Sequence, residues 1–94
     1  MALLFEWDEE KSQSNLRKHG VGFEEASTVF GDPFSVTIAD PEHSIREHRW
    51  MTLGHSAKHR LLVVVHTDRG SRIRIISARV ATRSERKTYE ESEA

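Results

Sequence analysis

The fold of this chain is decided by residues 61–78, whose sequence is Leu-Leu-Val-Val-Val-His-Thr-Asp-Arg-Gly-Ser-Arg-Ile-Arg-Ile-Ile-Ser-Ala. The first five residues form an unbroken apolar run, which is typical of a central strand covered on both faces. Residues 67–70 predict a hairpin turn, and the alternation from Arg72 to Ala78 predicts the last strand. In that strand the isoleucines at 73 and 75 face away from Arg72 and Arg74. The sequence therefore predicts a β-hairpin at the centre of the fold.

Three more strands are predicted upstream of this hairpin. Residues 3–7 alternate as a short opening strand, and residues 34–39 alternate again before Asp40-Pro41 turns the chain. A long polar strand is predicted over residues 45–53, by alternation alone. Residues 54–58 are predicted to form the loop that leads into the hairpin.

Three helices are predicted from their end signals. Asp8 is a good N-cap for a helix that ends before Gly20, since glycine is favoured just past a helix C-terminus. A second helix, with an apolar stripe at helical spacing, is predicted over residues 23–30. Thr82 and Glu85 have the spacing of a capping box, which predicts a final helix starting near Thr82.

These elements predict an α+β fold with the order β-α-α-β-β-β-β-α in a single domain spanning residues 1–94. We expect an antiparallel sheet of four to five strands, packed by two N-terminal helices and one C-terminal helix.

Composition limits the class of protein. The 94 residues are 36% hydrophobic and 31% charged, and they contain no cysteine, which excludes disulfides and thiolate metal sites. No apolar run reaches the roughly 20 residues that span a bilayer, and no secretion signal is recognisable at the N-terminus. A cytoplasmic protein is the default expectation.

The charges are unevenly distributed, although the formal net charge is only −1. Between residues 69 and 87 a single acid, Glu85, stands among seven basic residues, which are Arg69, Arg72, Arg74, Arg79, Arg83, Arg86 and Lys87. A local basic patch can bind phosphate despite a neutral total charge. A solvated strand and helix face is an equally good interpretation.

Several motifs resemble the BrnT family of toxins from bacterial type II toxin–antitoxin systems. The resemblance lies in the motifs Phe5-Glu6-Trp7-Asp8, Asn15 to Phe23, Glu47 with Arg49, and Ile76-Ser77-Ala78-Arg79 to Tyr89-Glu90. It implies a fold similar to the RelE-type ribonucleases, activity against RNA and neutralisation by a partner antitoxin. It also suggests a toxin dimer within a heterotetramer, whose antitoxins carry the DNA-binding segments.

Four residues are candidates for catalysis of RNA cleavage. Cleavage without a metal needs a base for the 2′-hydroxyl, an acid for the leaving 5′-oxygen and cations for the phosphorane. Arg79, at the end of the last strand, is predicted to bind phosphate, and Arg49 is a second candidate for phosphate binding. Glu47 and His19 are the acid–base candidates. Each has a structural alternative. For Arg79 it is an ion pair with an acid of the first helix or with Glu47, for Glu47 with Arg49 a cross-strand ion pair, and for His19 a helix C-terminal position.

Supporting contacts to the substrate are predicted for Lys18, Arg83, Arg86 and Tyr89. Tyr89 lies three residues after Arg86 on the final helix, so both side chains project over one face. Tyr89 is predicted either to stack on a base or to be a packing residue with its hydroxyl at the rim. Neither His55 with His59 nor His43 with His48 predicts a metal site, and no cofactor is expected.

The sequence and its resemblance to the BrnT family thus predict a metal-independent endoribonuclease toxin that cuts RNA, with mRNA as the expected target, by 2′-hydroxyl attack and is neutralised by a BrnA-like antitoxin. The alternative hypothesis is a non-catalytic interaction module whose arginines serve only protein contacts.

Overall fold

The computed structural model describes residues 3–40 and 48–93. Five strands and three helices follow one another as β1 (Leu4–Glu6), α1 (Glu9–His19), α2 (Phe23–Ser27), β2 (Val36–Ala39), β3 (Trp50–His55), β4 (Leu61–Arg69), β5 (Arg72–Val80) and α3 (Arg83–Glu93). A 3₁₀ turn, Thr28–Gly31, continues α2. The predicted α+β class and the order of elements are confirmed.

The sheet has the strand order β1-β5-β4-β3-β2 and is mixed. Strands β2 to β5 pair antiparallel, as predicted, but β1 pairs with β5 in parallel. The prediction of an antiparallel sheet is therefore wrong at this edge. The physical reason is that α1 and α2 carry the chain away after β1, so that β1 joins the sheet beside a strand about 70 residues later rather than through a hairpin.

The helix ends are formed by the predicted residues. One carboxylate oxygen of Asp8 accepts the backbone N–H groups of Glu10 at 2.9 Å and Lys11 at 3.3 Å. At the other end Gly20 adopts a φ of 72°, which favours glycine, and its N–H donates to the Leu16 carbonyl. The two caps fix the length of α1 and the position of Lys18 and His19 at its end.

The predicted strand over residues 45–53 begins later and ends later than expected. Strand β3 runs from Trp50 to His55, and residues 45–47 lie outside the described part of the chain. Gly54 and His55, predicted as loop, pair with Leu62 and Leu61 of β4. Position 54 favours glycine because the Cβ of any other residue there would lie only 3.0 Å from a methyl group of Val29.

The core lies on both faces of the sheet. Helices α1 and α2 cover a cluster formed by Val21, Phe23, Ala26, Val29, Leu62, Val64, Ile75 and Ala78. On the other face, which we call the α3 face, Leu53, Leu61 and Val63 pack with Tyr89. Among the described side chains of α3, Tyr89 is buried, Glu85 is half-buried and the others are exposed. Helix α3 therefore covers only part of its face.

Candidate functional site

Arg79, the predicted phosphate-binding residue, lies near the end of β5 and is bound by Glu85. Its two terminal nitrogens donate to the two oxygens of this carboxylate at 2.7 and 2.8 Å. The Arg79 side chain is 41% exposed. The structural alternative, an ion pair, is thus present, but its acid comes from α3 rather than from α1 or Glu47. The guanidinium remains open to solvent on one side.

Glu85 also caps the N-terminus of α3 through Thr82. Its carboxylate accepts the Thr82 backbone N–H at 2.8 Å, and the Thr82 hydroxyl accepts the Glu85 N–H at 3.2 Å. This is the predicted capping box. The Arg79 hydrogen bonds, assisted by the N–H of Thr82, lower the pKa of Glu85 to about 2. The same hydrogen bonds raise the pKa of Arg79.

Lys18 and His19 lie at the end of α1, the helix that contacts β5 through Asn15. One turn before them, the buried Asn15 amide donates to the Ala78 carbonyl at 2.7 Å and accepts the Ala78 N–H at 3.3 Å. Residues three and four positions after Asn15 project from the same side of α1. Lys18 and His19 are both exposed, and neither side chain has a hydrogen bond or an ion pair with any residue the structure describes. Ala78 faces the side of the sheet that α1 and α2 cover, whereas Arg79 faces the α3 side and binds Glu85 there. The end of α1 therefore presents a cation and an imidazole on the face opposite to Arg79.

Arg49 is placed elsewhere. It lines a polar cleft at the β1 end of the sheet together with Arg69 and Arg74. Arg74 pairs with Thr67 of β4, whereas Arg79 pairs with Val63. These partners are four residues apart, which is about 13 Å at the usual rise per residue. The structure therefore separates Arg49 from Arg79 instead of bringing them to one phosphate.

Apart from Tyr89, the remaining predicted site residues are either exposed on α3 or lie outside the described part of the chain. Arg83 and Arg86 are exposed on α3, available for a polyanion. Glu47, the predicted base, lies outside the described residues, as does His43. Within residues 3–40 and 48–93, no three His, Asp or Glu side chains are grouped as metal ligands, and no helix is long and apolar enough to cross a membrane.

A sequence model of one protein family, described as "Ribonuclease toxin, BrnT, of type II toxin-antitoxin system", matches residues 7–85. The chain belongs to the BrnT family. The predicted resemblance is confirmed, and its residues from Trp7 to Glu85 lie within the match.

A solved BrnT structure has the same fold. The Brucella abortus ribonuclease toxin BrnT superposes with a TM-score of 0.63 at 25% sequence identity, over 87% of this chain and 100% of that chain. A comparison with curated proteins found no match. The relation to RelE-type ribonucleases stays a prediction.

The match to the BrnT family ends before Tyr89, whose environment corrects the predicted contact with RNA. Tyr89 is only 3% exposed, and its hydroxyl donates a hydrogen bond to the Asp32 carboxylate at 2.6 Å. A buried ring is not accessible for base stacking, which favours the packing alternative. Tyr89 connects α3 to the sheet and to Asp32.

Sequence reasoning missed the group that Tyr89 completes. Asp32 also accepts the backbone N–H of His55 at 2.8 Å, and the His55 ring meets the Tyr89 ring edge-on at 5.0 Å. Burial tends to raise the pKa of Asp32, but hydrogen bonds from His55, Tyr89 and Phe34 outweigh it and lower that pKa. Asp32 stands 23 residues before His55 and 57 before Tyr89. No motif spacing connects them, so the sequence offers no signal for this group.

Proposed function

We propose that this BrnT protein is an endoribonuclease that cleaves RNA by attack of the 2′-hydroxyl on the adjacent phosphate, without a metal. The observation that carries the proposal is the partly exposed Arg79 guanidinium near the end of β5. Lys18 and His19 are exposed at the end of α1. In a family described as ribonuclease toxins, this combination of cations and a titratable group has the inventory that phosphodiester cleavage needs.

Each residue then has a role. Arg79 holds the scissile phosphate, since a guanidinium can bind two phosphate oxygens at once. His19 and Glu47 share the acid–base work on the 2′-hydroxyl and the 5′-oxygen. Lys18 adds positive charge beside them, and the exposed Arg83 and Arg86 bind flanking phosphates. Because the carboxylate of Glu85 occupies the two terminal nitrogens of Arg79, the substrate phosphate replaces or shares this interaction.

The proposed partner is a BrnA-like antitoxin. A type II system implies a protein antitoxin, and an acidic segment of such a partner would compete with RNA for the exposed arginines. We further propose that two toxin chains and two antitoxins form a heterotetramer, in which DNA is bound by the antitoxins. mRNA is the proposed target, and the cytoplasm is the proposed compartment.

A non-catalytic interaction module is the second candidate, and one observation favours it. An apolar groove of about 110 Å³ lies between α3 and the edge of the sheet, and its lining includes Val36, Ile38 and Met51. Ile38 is 55% exposed. A bidentate ion pair between Arg79 and Glu85 also suits a purely structural arginine. In this hypothesis the arginine fixes α3 and the groove binds a protein.

The experiment that separates the two candidates is RNA cleavage by the purified protein in EDTA. We expect the wild type to degrade RNA, with fragments ending in 2′,3′-cyclic phosphate. Arg79→Ala and Glu47→Gln should each lower the rate at least 100-fold. Arg17→Ala, which removes an exposed arginine from α1, is the matched control and should keep full activity.

Folding must be separated from chemistry, because Arg79→Ala leaves Glu85 without its partner. The double variant Arg79→Ala/Glu85→Gln removes the unpaired charge and should unfold at the same urea concentration as Glu85→Gln alone. An intact RNA substrate with wild-type protein, or full activity in both Arg79 variants, would contradict the catalytic proposal.

A further inference from the structure

A second basic centre lies on the sheet, apart from Arg79. A cleft of about 180 Å³ is lined by four basic side chains and one acid, which are Lys11, Arg49, Arg69, Arg74 and Asp8. They come from α1, the segment before β3, the end of β4 and the start of β5. Four cations from separate elements concentrate positive charge in this cleft, which attracts an anion.

Two described acids beside the cleft, Asp8 and Glu6, are already engaged. Asp8 uses a carboxylate oxygen to cap α1, where the positive end of the helix dipole stabilises its charge. Glu6 accepts a hydrogen bond from one terminal nitrogen of Arg74 at 2.8 Å. The other N–H groups of Arg74 have no hydrogen bond with the described residues, and the same holds for the Lys11 ammonium group, which is exposed. Donors therefore remain for an anionic ligand.

A β-bulge places Arg74, which lines this cleft, on the same face of the sheet as Arg79. Arg74 and Arg79 are five residues apart, so in a regular strand they would face opposite sides. The register shifts between Val65 and His66, which leaves Ile76 without a direct partner. Arg74 and Arg79 consequently oppose Thr67 and Val63, which are four residues apart on β4 and share a face.

The surface between the two arginines is partly open. Val65 and Ser77 pair with each other at this position, and both are half-buried rather than covered. The two arginines are about 13 Å apart along the strand, at the usual rise per residue. A stacked nucleic-acid strand advances about 3.4 Å per nucleotide. The distance therefore corresponds to no more than about four nucleotides of a stacked single strand.

We propose that the cleft of Lys11, Arg49, Arg69 and Arg74 binds a backbone phosphate of single-stranded RNA, two to four nucleotides from the phosphate held by Arg79, as roughly estimated from that spacing. The RNA then lies along β5. This inference rests on the proposed function, which supplies the phosphate at Arg79. Contacts of this kind position the strand and do not read its sequence.

The test is binding of short RNA as a function of its length. Fluorescently labelled 2′-O-methyl RNA, in which the attacking hydroxyl is blocked, is titrated as a trinucleotide and as a decanucleotide at several salt concentrations. The variants are Lys11→Gln and Arg74→Gln; the glutamine amide keeps a donor for Glu6. Lys58→Gln, in an exposed loop between β3 and β4, is the matched control.

We expect each cleft variant to weaken binding of the decanucleotide about three- to tenfold and to lower the slope of log K against log salt by about 0.7. Binding of the trinucleotide, which is too short to reach both centres, should change less than twofold. Equal losses for both lengths, or losses no larger than that of Lys58→Gln, would overturn the inference.

Failure of the inference and failure of the proposed function remain distinguishable. An unmodified decanucleotide is incubated with the wild type in parallel. If it is cleaved while the cleft variants bind the blocked decanucleotide like the wild type, the cleft proposal alone is overturned. If it stays intact while the length-dependent losses are observed, the cleft proposal stands and catalysis is contradicted.

Discussion

The carboxylate of Glu85 binds both terminal nitrogens of Arg79 and at the same time caps the helix that follows. One side chain thus connects the end of β5 to the start of α3. Four residues later, on the same side of the helix, Tyr89 reaches Asp32. Helix α3 is held by these two polar anchors and by the apolar contacts of the Tyr89 ring. A ligand that binds Arg79 in place of Glu85 weakens the first of these two polar anchors.

Glu85→Gln should therefore have opposite effects on stability and on RNA binding. The ion pair is partly exposed, so the expected loss in the free energy of unfolding is only about 1 kcal/mol. Because Arg79 loses its carboxylate, affinity for 2′-O-methyl RNA should rise about threefold or more. Urea unfolding and fluorescence anisotropy measure the two quantities. Glu91→Gln, an exposed acid on the same helix, is the control, and unchanged RNA affinity in Glu85→Gln would argue against a phosphate at Arg79.

Tyr89→Phe separates the structural role of Tyr89 from a role in RNA binding. The variant keeps the ring and removes the hydroxyl that donates to Asp32 at 2.6 Å. A hydrogen bond to a charged group contributes about 1.5–3 kcal/mol, so the free energy of unfolding should fall by that amount. RNA cleavage, measured well below the melting temperature, should be unchanged. A cleavage defect without loss of stability would return Tyr89 to the substrate site.

Asn15→Leu should be among the most destabilising single changes in α1. The Asn15 amide donates to the carbonyls of Val21 and Ala78, both at 2.7 Å, in a buried position. Leucine leaves these groups and the Ala78 N–H without a partner, which should cost about 3 kcal/mol or more. Gln13→Leu, at an exposed position of the same helix, is the comparison. Equal urea midpoints for the two variants would contradict the structural importance of Asn15.

His66 should make the protein less stable in mild acid. The residue is 5% exposed, and burial lowers the pKa of its imidazole. Below about pH 6.5 the unfolded chain binds a proton here that the folded chain does not. The stability contributed by neutral His66 is therefore present above that pH and is lost as pH falls through it. Urea unfolding at pH 7.5 and 5.5 should show this decline, and His66→Gln should reduce it; an undiminished decline in the variant would assign the effect to other groups.

Local features of the fold were predictable because local physics determines them. The Asp8 cap, the glycine at position 20 and the Thr82–Glu85 capping box each depend on residues within a few positions. The hairpin of β4 and β5 is likewise a contact between neighbours in the chain. Alternation identified the short opening strand, but alternation carries no information on the partner or the direction of pairing. The parallel β1–β5 edge was missed for that reason.

The candidate site was predictable only in part. The sequence predicts Arg79 next to a capped helix. The capping motif identifies Glu85 as a cap residue, but it does not show that Glu85 also binds Arg79. Lys11 and Arg74 were not predicted as one cluster, since a bulge at Ile76 determines which face Arg74 occupies. The pairing of Asp32 with Tyr89 spans 57 residues. Long-range contacts of this kind follow from the packed fold and not from residue spacing.

Because β1 pairs with β5, the proposed RNA-binding surface forms only late in the synthesis of the chain. The basic cleft combines Asp8 and Lys11, made early, with Arg69 and Arg74, made about 60 residues later. A chain that emerges at about 5–20 residues per second exposes its first helix several seconds before β5 exists. The cleft and the Arg79 centre are both completed only when β5 has left the ribosome. A growing toxin chain thus lacks both of the proposed phosphate-binding centres while most of it is still being translated beside the mRNA that encodes it.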